Sequence, residues 1–380
     1  MSRVREIDAI RAFALFGILL ANIGYLADPA HIALGALPAV DNPVGFAVSA
    51  LVLTKFYVIF AFLFGYSFTL QMRSWGEDRV RARMLRRCLA LLVLGLLHGF
   101  LLWFGDILTL YAVLGVVLLL MRNIRPRTAV VVGSCLIGFL TLVWAVLGWL
   151  TSLAPTATMP AADPAAGARA VRLVTDGPLG FLTFQAENYP PYALFVWAFQ
   201  GPTALALFLY GLAAGRSRLL ERRERWEHLI PRVQWTGFLV GLPGAVFFAW
   251  ASGRPDEFAL YGLAVNTVTS LFLSAAFVVT LLRVLRRFPA LVDVLGPAGR
   301  MTASNYVGQS VLVVLVFTGY GLGLAGRLAP PAVMGVAVVI YAILLWLSSR
   351  WLRSHRHGPI EYGLRAATLG AGRRTPVNPA

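Results

Sequence analysis

Ten apolar runs, separated by turns alternately crowded with arginine and almost free of it, restrict this chain to one environment. A helix needs about 20 apolar residues to cross about 30 Å of hydrocarbon. The runs lie at 7–26, 44–72, 88–104, 107–121, 128–153, 192–215, 233–251, 258–282, 303–325 and 331–352. The expected fold is an all-α polytopic membrane protein with about ten transmembrane helices. Residues 1–353 form a single transmembrane domain with an outer loop at about 154–190, and residues 354–380 form a C-terminal tail. The composition agrees: 58% of residues are hydrophobic and only 13% charged, against roughly 25% charged in a soluble domain.

The turns set the orientation. Arg73, Arg79, Arg81, Arg83, Arg86 and Arg87 crowd one turn, and Arg216, Arg218, Arg222, Arg223, Arg225 and Arg232 another. Arg122, Arg125 and Arg127 mark a third, and Arg283, Arg286, Arg287 and Arg300 a fourth. The intervening loops hold none, or single residues such as Arg254 and Arg327, or Arg169 and Arg172 across the long 154–190 segment. Positive charge stays on the cytoplasmic side, so both termini are expected there. The net charge of +16 is spread through short turns rather than gathered into one basic domain, so nucleic acid is not an expected partner; the lipid bilayer is.

Cys88 and Cys135 have no nearby partner, and no motif for a metal site or disulfide framework is present. The first apolar run has no small-residue cleavage site and is interrupted by Asp8 and Arg11, so it reads as a retained span. Ala154 to Ala168 is rich in Pro, Ala and Thr and reads as irregular, and the Pro190-Pro191 pair is expected to break the chain before the sixth span. No repeat relates the two halves, and Arg373–Ala380 reads as disordered.

Ionisable groups inside a membrane are costly and are functional candidates by default. Lys55 is the only lysine and falls near the middle of the second run; it either serves chemistry or pairs structurally with a carboxylate such as Asp106. His98 lies on the third span, with Asp106 eight residues on, at the tip of the next turn. Eight helical residues span about 12 Å, so the two are not a simple helical pair, but a turn that folds back could line one cavity with both. Histidine suits general-base work near neutral pH, and a carboxylate partner would set its tautomer; a structural histidine bonding a neighbouring helix is the other reading. Asp8 and Arg11 share a face at the start of the first span, with Asn22 three turns further along that face. Arg300, Asn305, Tyr306 and Gln309 form a polar stripe on the ninth span, readable as a site or as polar glue between helices. His31, beside Pro29, reads as a solvated loop residue.

In order along the chain, these residues resemble one family. Ile7-Asp8 with Arg11, Gly17-Ile18-Leu19-Leu20 and Asn22-Ile23 is similar to the opening of the YeiB-like bacterial membrane proteins. Lys55-Phe56 with Phe62-Leu63-Phe64-Gly65 follows, then His98-Gly99 through Gly105-Asp106-Ile107-Leu108 and Tyr111. Gly299-Arg300-Met301 with Asn305-Tyr306 and Gln309-Ser310, and Gly358-Pro359-Ile360-Glu361-Tyr362 with Arg365, complete the resemblance. It implies a multi-pass protein of the bacterial cytoplasmic membrane.

The first span is also similar to those of two groups of transmembrane acyltransferases, the type-3 sugar O-acyltransferases and the heparan-glucosamine acetyltransferase group. In the type-3 group a catalytic histidine follows an arginine by eleven residues. Here Arg11 is followed at that spacing by Asn22, as in the second group, which moves the expected base to His98. The resemblance implies transfer of an acyl group, acetyl first among candidates, from acetyl-CoA or another acyl-CoA to a hydroxyl or amine of an envelope glycan or small metabolite. Arg11, with Asp8, Asn22, Arg300, Asn305 and Gln309, would bind the donor, and His98, Asp106 and Lys55 would carry the chemistry. A transporter using Lys55, His98 and Asp106 as a relay is the alternative, and homodimerisation stays open. A cavity joining the arginine-rich face to His98 would favour the enzyme.

Overall fold

The computed structural model describes residues 5–30, 42–75, 77–153, 164–219, 223–254 and 258–369. His31, the 373–380 segment and residues 154–163 lie outside them, so the readings of those positions are not addressed. The described elements are all helical. They are α1 (Arg5–Ala27), α2 (Pro43–Leu51), α3 (Lys55–Trp75), α4 (Glu77–Leu101), α5 (Leu108–Leu120), α6 (Pro126–Leu153) and α7 (Pro164–Thr175). There follow α8 (Pro178–Arg216), a short 3-10 helix (Arg223–Leu229), α9 (Ile230–Ser252), α10 (Ala259–Arg287), α11 (Ala290–Arg300), α12 (Thr302–Phe317), α13 (Pro330–Ser354) and α14 (Pro359–Leu369).

Eight helical stretches among the described residues are long and apolar enough to cross a membrane. The expected fourth and ninth spans are shorter. α5 has 13 residues and α12 has 16, so at 1.5 Å per residue they reach about 20 and 24 Å and do not span hydrocarbon alone. α12 stops at Phe317 because Thr318 is extended, and the glycine-rich stretch beyond it turns rather than continuing the helix. Leu89, Val93 and Leu97 on α4 and Trp346 on α13 stay more than half exposed, as expected for side chains that meet lipid rather than water.

The expected second span, 44–72, is two helices. α2 ends at Leu51, and Thr54 adopts φ of 73° before α3 begins at Lys55. A β-branched residue in the left-handed region costs about 1–2 kcal/mol, and the neighbouring α10 compensates. Asn266 donates to the Thr54 hydroxyl at 3.0 Å, and Ser274 donates to the Lys55 carbonyl at 2.8 Å. Lys55 therefore opens a helix at a break instead of sitting inside a continuous span.

Two further expectations are overturned. The 164–190 part of the outer loop is helical: α7 is amphipathic and buries Gly167, Ala170 and Val174, and α8 runs unbroken through Pro190, Pro191 and Pro202. Each proline removes only its own N–H, and packing of α8 against α3, α6 and α7 holds the helix across the gaps. Nor is the region after residue 354 a free tail. α14 docks on α4 and α12, where the Glu361 carboxylate accepts from the Ala303 N–H at 2.6 Å, the Ser304 N–H at 3.1 Å and the Ser304 hydroxyl at 2.5 Å. These are N–H groups of the first turn of α12, which the helix itself leaves without partners.

Candidate functional site

His98 closes α4. Its carbonyl accepts from both Leu102 and Trp103, ending the helix and turning the chain back. Asp106 lies just before α5: its Oδ2 accepts from the Thr109 N–H in the first turn at 2.9 Å, which fixes the carboxylate. The other oxygen, Oδ1, lies 2.9 Å from His98 Nδ1. The eight-residue spacing is bridged by the turn, so the two residues touch directly. Gly95 makes this approach possible, because a Cβ there would lie 2.6 Å from the Thr109 nitrogen and 2.8 Å from Asp106 Oδ2. On its other edge, His98 Nε2 lies 2.9 Å from the Ser310 hydroxyl of α12. Both His98 and Asp106 are 1% exposed. A carboxylate can only accept, so Nδ1 carries the proton and Nε2 accepts from Ser310. Tyr306, one turn before Ser310, lays its ring 4.9 Å from the imidazole and accepts from the Ile107 N–H at 3.5 Å.

A cavity of about 640 Å³ opens where the arginine-rich turns converge. Arg11, Arg83, Arg87, Arg300 and Arg365 line it against one carboxylate, Glu361. Arg11 bonds Asp8 at 2.8 Å and the Ser67 hydroxyl at 2.6 Å, which holds its guanidinium at the wall. Deeper, the lining becomes apolar and aromatic, with Phe60, Leu63, Leu91 and Leu108, and it includes Tyr111 and Tyr306. The buried Tyr111 hydroxyl has no hydrogen-bond partner among the described residues. Tyr306 is thus shared: it forms the cavity wall and packs against His98.

The remaining sequence candidates are dispersed. Arg11 and Arg300 line the cavity, and Asp8 supports Arg11 from behind. Asn22 is half-buried on α1 and is not part of the lining. Asn305 bonds the Ala298 carbonyl at 3.0 Å and Ser348 at 2.9 Å, which makes it a tie between α11, α12 and α13. Gln309 is buried, and its Oε1 has no partner among the described residues. Lys55 does not join His98 and Asp106. Its ammonium lies 3.0 Å from Asn266 Oδ1, 3.4 Å from the Ser49 carbonyl and 5.2 Å from the Phe248 ring. The helix break turns it toward α9 and α10, so the expectation of one cavity shared by all three fails, as does pairing with Asp106.

Sequence reasoning missed four contributors. Ser310 was visible only as the last residue of the Gln309-Ser310 motif; its position four residues after Tyr306, on the same face of α12, was the available signal. Arg87 was read as a turn charge, and Glu361 and Arg365 as parts of a closing motif rather than as a cap and a cavity cation.

These features define a class: a multi-pass helical membrane protein with a cationic cavity at one end and a buried Asp–His–Ser hydrogen-bond chain behind its wall. Within that class the chain is similar to the YeiB-like membrane proteins. Residues 214–371 match the family described as "Protein of unknown function (DUF418)". The chain is 28% identical to the uncharacterized protein YxaH of Bacillus subtilis, over 96% of this chain and 94% of that protein. It is 26% identical to the uncharacterized protein YeiB of Escherichia coli, over 98% of this chain and 97% of the relative. A Bacillus acidopullulyticus protein, described as an uncharacterized 39.9 kDa protein in the amylase 3' region, is 27% identical over 99% of this chain and 96% of its own length.

Proposed function

We propose that this protein is a membrane-embedded acyltransferase. It takes an acyl group, acetyl first among candidates, from acyl-CoA and passes it to a hydroxyl or amine of an envelope glycan or small metabolite. The observation that carries the reading is the cavity. Its arginine-lined mouth suits the phosphates of a CoA donor, because arginine recognises phosphate oxygens bidentately. Its apolar interior suits an extended, weakly polar arm, and its volume lies within the roughly 300–1,000 Å³ usual for small-molecule sites. Its inner wall, Tyr306, touches the imidazole of a His98 already oriented by Asp106. The arginine-rich end would face the cytoplasm of the bacterial inner membrane, where acyl-CoA is made.

Lys55 lies apart from this chemistry, among Asn266, Ser49 and Phe248. Its cluster also weighs against the transporter reading, because a relay from Lys55 to His98 has no shared residue: the Lys55 bonds go to Asn266 and Ser49, and the His98 bonds to Asp106 and Ser310. The test is binding and consumption of acetyl-CoA by the purified protein in nanodiscs. Saturable binding that weakens with salt and in Arg87→Ala is expected. Failure to bind any acyl-CoA would end the enzyme reading.

A further inference from the structure

We infer that Ser310 is a nucleophile that carries the acyl group covalently, so that transfer proceeds in two steps through an acyl-serine; this rests on the acyl-transfer reading above. Both ring nitrogens of His98 are occupied. Nδ1 faces Asp106 at 2.9 Å, and Nε2 faces Ser310 Oγ at 2.9 Å. A histidine in this state can take a proton at Nε2 from only one group, the Ser310 hydroxyl. That hydroxyl has one proton to give. Its other acceptor, the Tyr306 carbonyl, lies at 3.4 Å, so the shorter bond to His98 holds the proton. The order carboxylate–imidazole–hydroxyl, with the carboxylate on Nδ1 and the hydroxyl on Nε2, is the arrangement by which unrelated folds activate serine.

The surroundings suit a covalent intermediate. Ser310 is 7% exposed, so an ester formed there is kept from water. Tyr306 stands between the hydroxyl chain and the cavity, and Tyr111 lines the same cavity. The Tyr306 oxygen accepts from Ile107 and keeps its own proton, and the Tyr111 hydroxyl is unpartnered among the described residues. The Tyr306 phenol is therefore free to meet the negative oxygen that develops on a thioester carbonyl, and Tyr111 offers a second unpartnered phenol on the cavity wall. Because Tyr306 forms the wall, its side chain must rotate for the acyl group to reach Ser310.

The steps balance. Ser310 Oγ attacks the thioester carbon while its proton passes to His98 Nε2. The C–S bond breaks, the proton moves from Nε2 to the departing sulfur, and CoA leaves as the free thiol. The acceptor hydroxyl or amine then attacks the serine ester and yields its proton to Nε2. The C–Oγ bond breaks, and the same proton returns to Oγ. Asp106 stabilises the imidazolium in both halves.

The experiment uses the full chain in nanodiscs, without acceptor, and two reagents. Acetyl-CoA labelled in the acetyl group should release a burst of free thiol stoichiometric with protein and leave the label on the peptide containing Ser310. Ser310→Ala should lose burst and label yet bind acetyl-CoA as the wild type does. Ser310→Cys should recover the label as a hydroxylamine-sensitive thioester, which guards against misfolding of the alanine variant. Diisopropyl fluorophosphate, which modifies activated serines whatever their natural donor, should label Ser310 in the wild type and not in His98→Ala. If wild type and Ser310→Ala consume acetyl-CoA at the same rate, transfer is direct; the serine mechanism is overturned and the acyltransferase stands. If the fluorophosphate labels Ser310 but no acyl-CoA binds, the activated serine stands and the proposed donor falls. Label from neither reagent overturns the inference.

Discussion

Glu361 caps the first turn of α12 through a 2.6 Å bond from the N–H of Ala303, 58 residues earlier in the chain. The same carboxylate also holds Ser304, and α14, which carries it, lines the cavity mouth with Arg365. The end of the described chain thus fixes the start of α12, the helix that presents Tyr306 and Ser310. Glu361→Ala should destabilise the protein by about 1–2 kcal/mol, the usual loss for an N-terminal cap. Thermal unfolding in detergent checks this, and an unchanged midpoint would show that the cap is dispensable.

Gly95→Ala should disturb the site through the contact between α4 and α5. The added methyl would drive into the Thr109 nitrogen and Asp106 Oδ2, forcing α5 away from α4. Overpacking of this kind costs about 1–3 kcal/mol, and it should abolish transfer in the fraction that remains folded. A variant that is folded and fully active would mean that the His98–Asp106 contact is not needed.

Donor binding and chemistry should separate by residue. His98→Ala is expected to lower acyl transfer by about 10²–10⁴-fold, the range for a general base, while acetyl-CoA affinity is retained. Arg11→Ala should weaken donor binding by about tenfold, near 1.4 kcal/mol, with less effect on the rate at saturation. Isothermal titration and single-turnover kinetics distinguish the two, and equal loss of affinity in both variants would contradict the assignment.

The Lys55 cluster should prove structural. Asn266→Leu strands an ammonium and should cost about 2–4 kcal/mol, whereas Lys55→Met should cost about 1–2 kcal/mol. The double variant should cost less than the sum, since the two groups chiefly satisfy each other. Acetyl-CoA binding should survive in each. Additive costs, or loss of donor binding in Lys55→Met, would refute this.

Reporter fusions after Arg83, Arg223 and Arg374 should report cytoplasm, and fusions within 160–175 the opposite side, as the arginine distribution requires. A cytoplasmic signal from 160–175 would reverse the orientation of the cavity mouth.

The apolar runs made the helices and the membrane legible, because length and period are local properties of a sequence. His98 and Asp106 were legible as candidates, since an ionisable group in an apolar run stands out. Their contact was not, because it depends on how Leu102–Asp106 turns back and on the space that Gly95 leaves. Ser310 was hidden for a different reason: a serine on an apolar helix has the same local signature whether it bonds its own backbone or activates an imidazole. The run through Pro190 and Pro191 misled because proline's local preference yielded to packing along α8. The break before Lys55 carried no proline or glycine, so nothing in the 44–72 run announced it.

The enclosure of Lys55 also gives the molecule a built-in gauge of its own opening. It is the sole lysine and is 0% exposed, so the folded chain presents no ε-amine to acylating dyes or to proteases that cut after lysine. When α2 and α3 part from α10, one such amine is uncovered, at the single helix break that Asn266 and Ser274 stitch together. Modification of the Lys55 amine by a reactive ester, or cleavage after it by a lysine-specific protease, therefore reports the opening of that seam at one known atom, as an opening rate where reaction outpaces reclosing and as an open population where it does not.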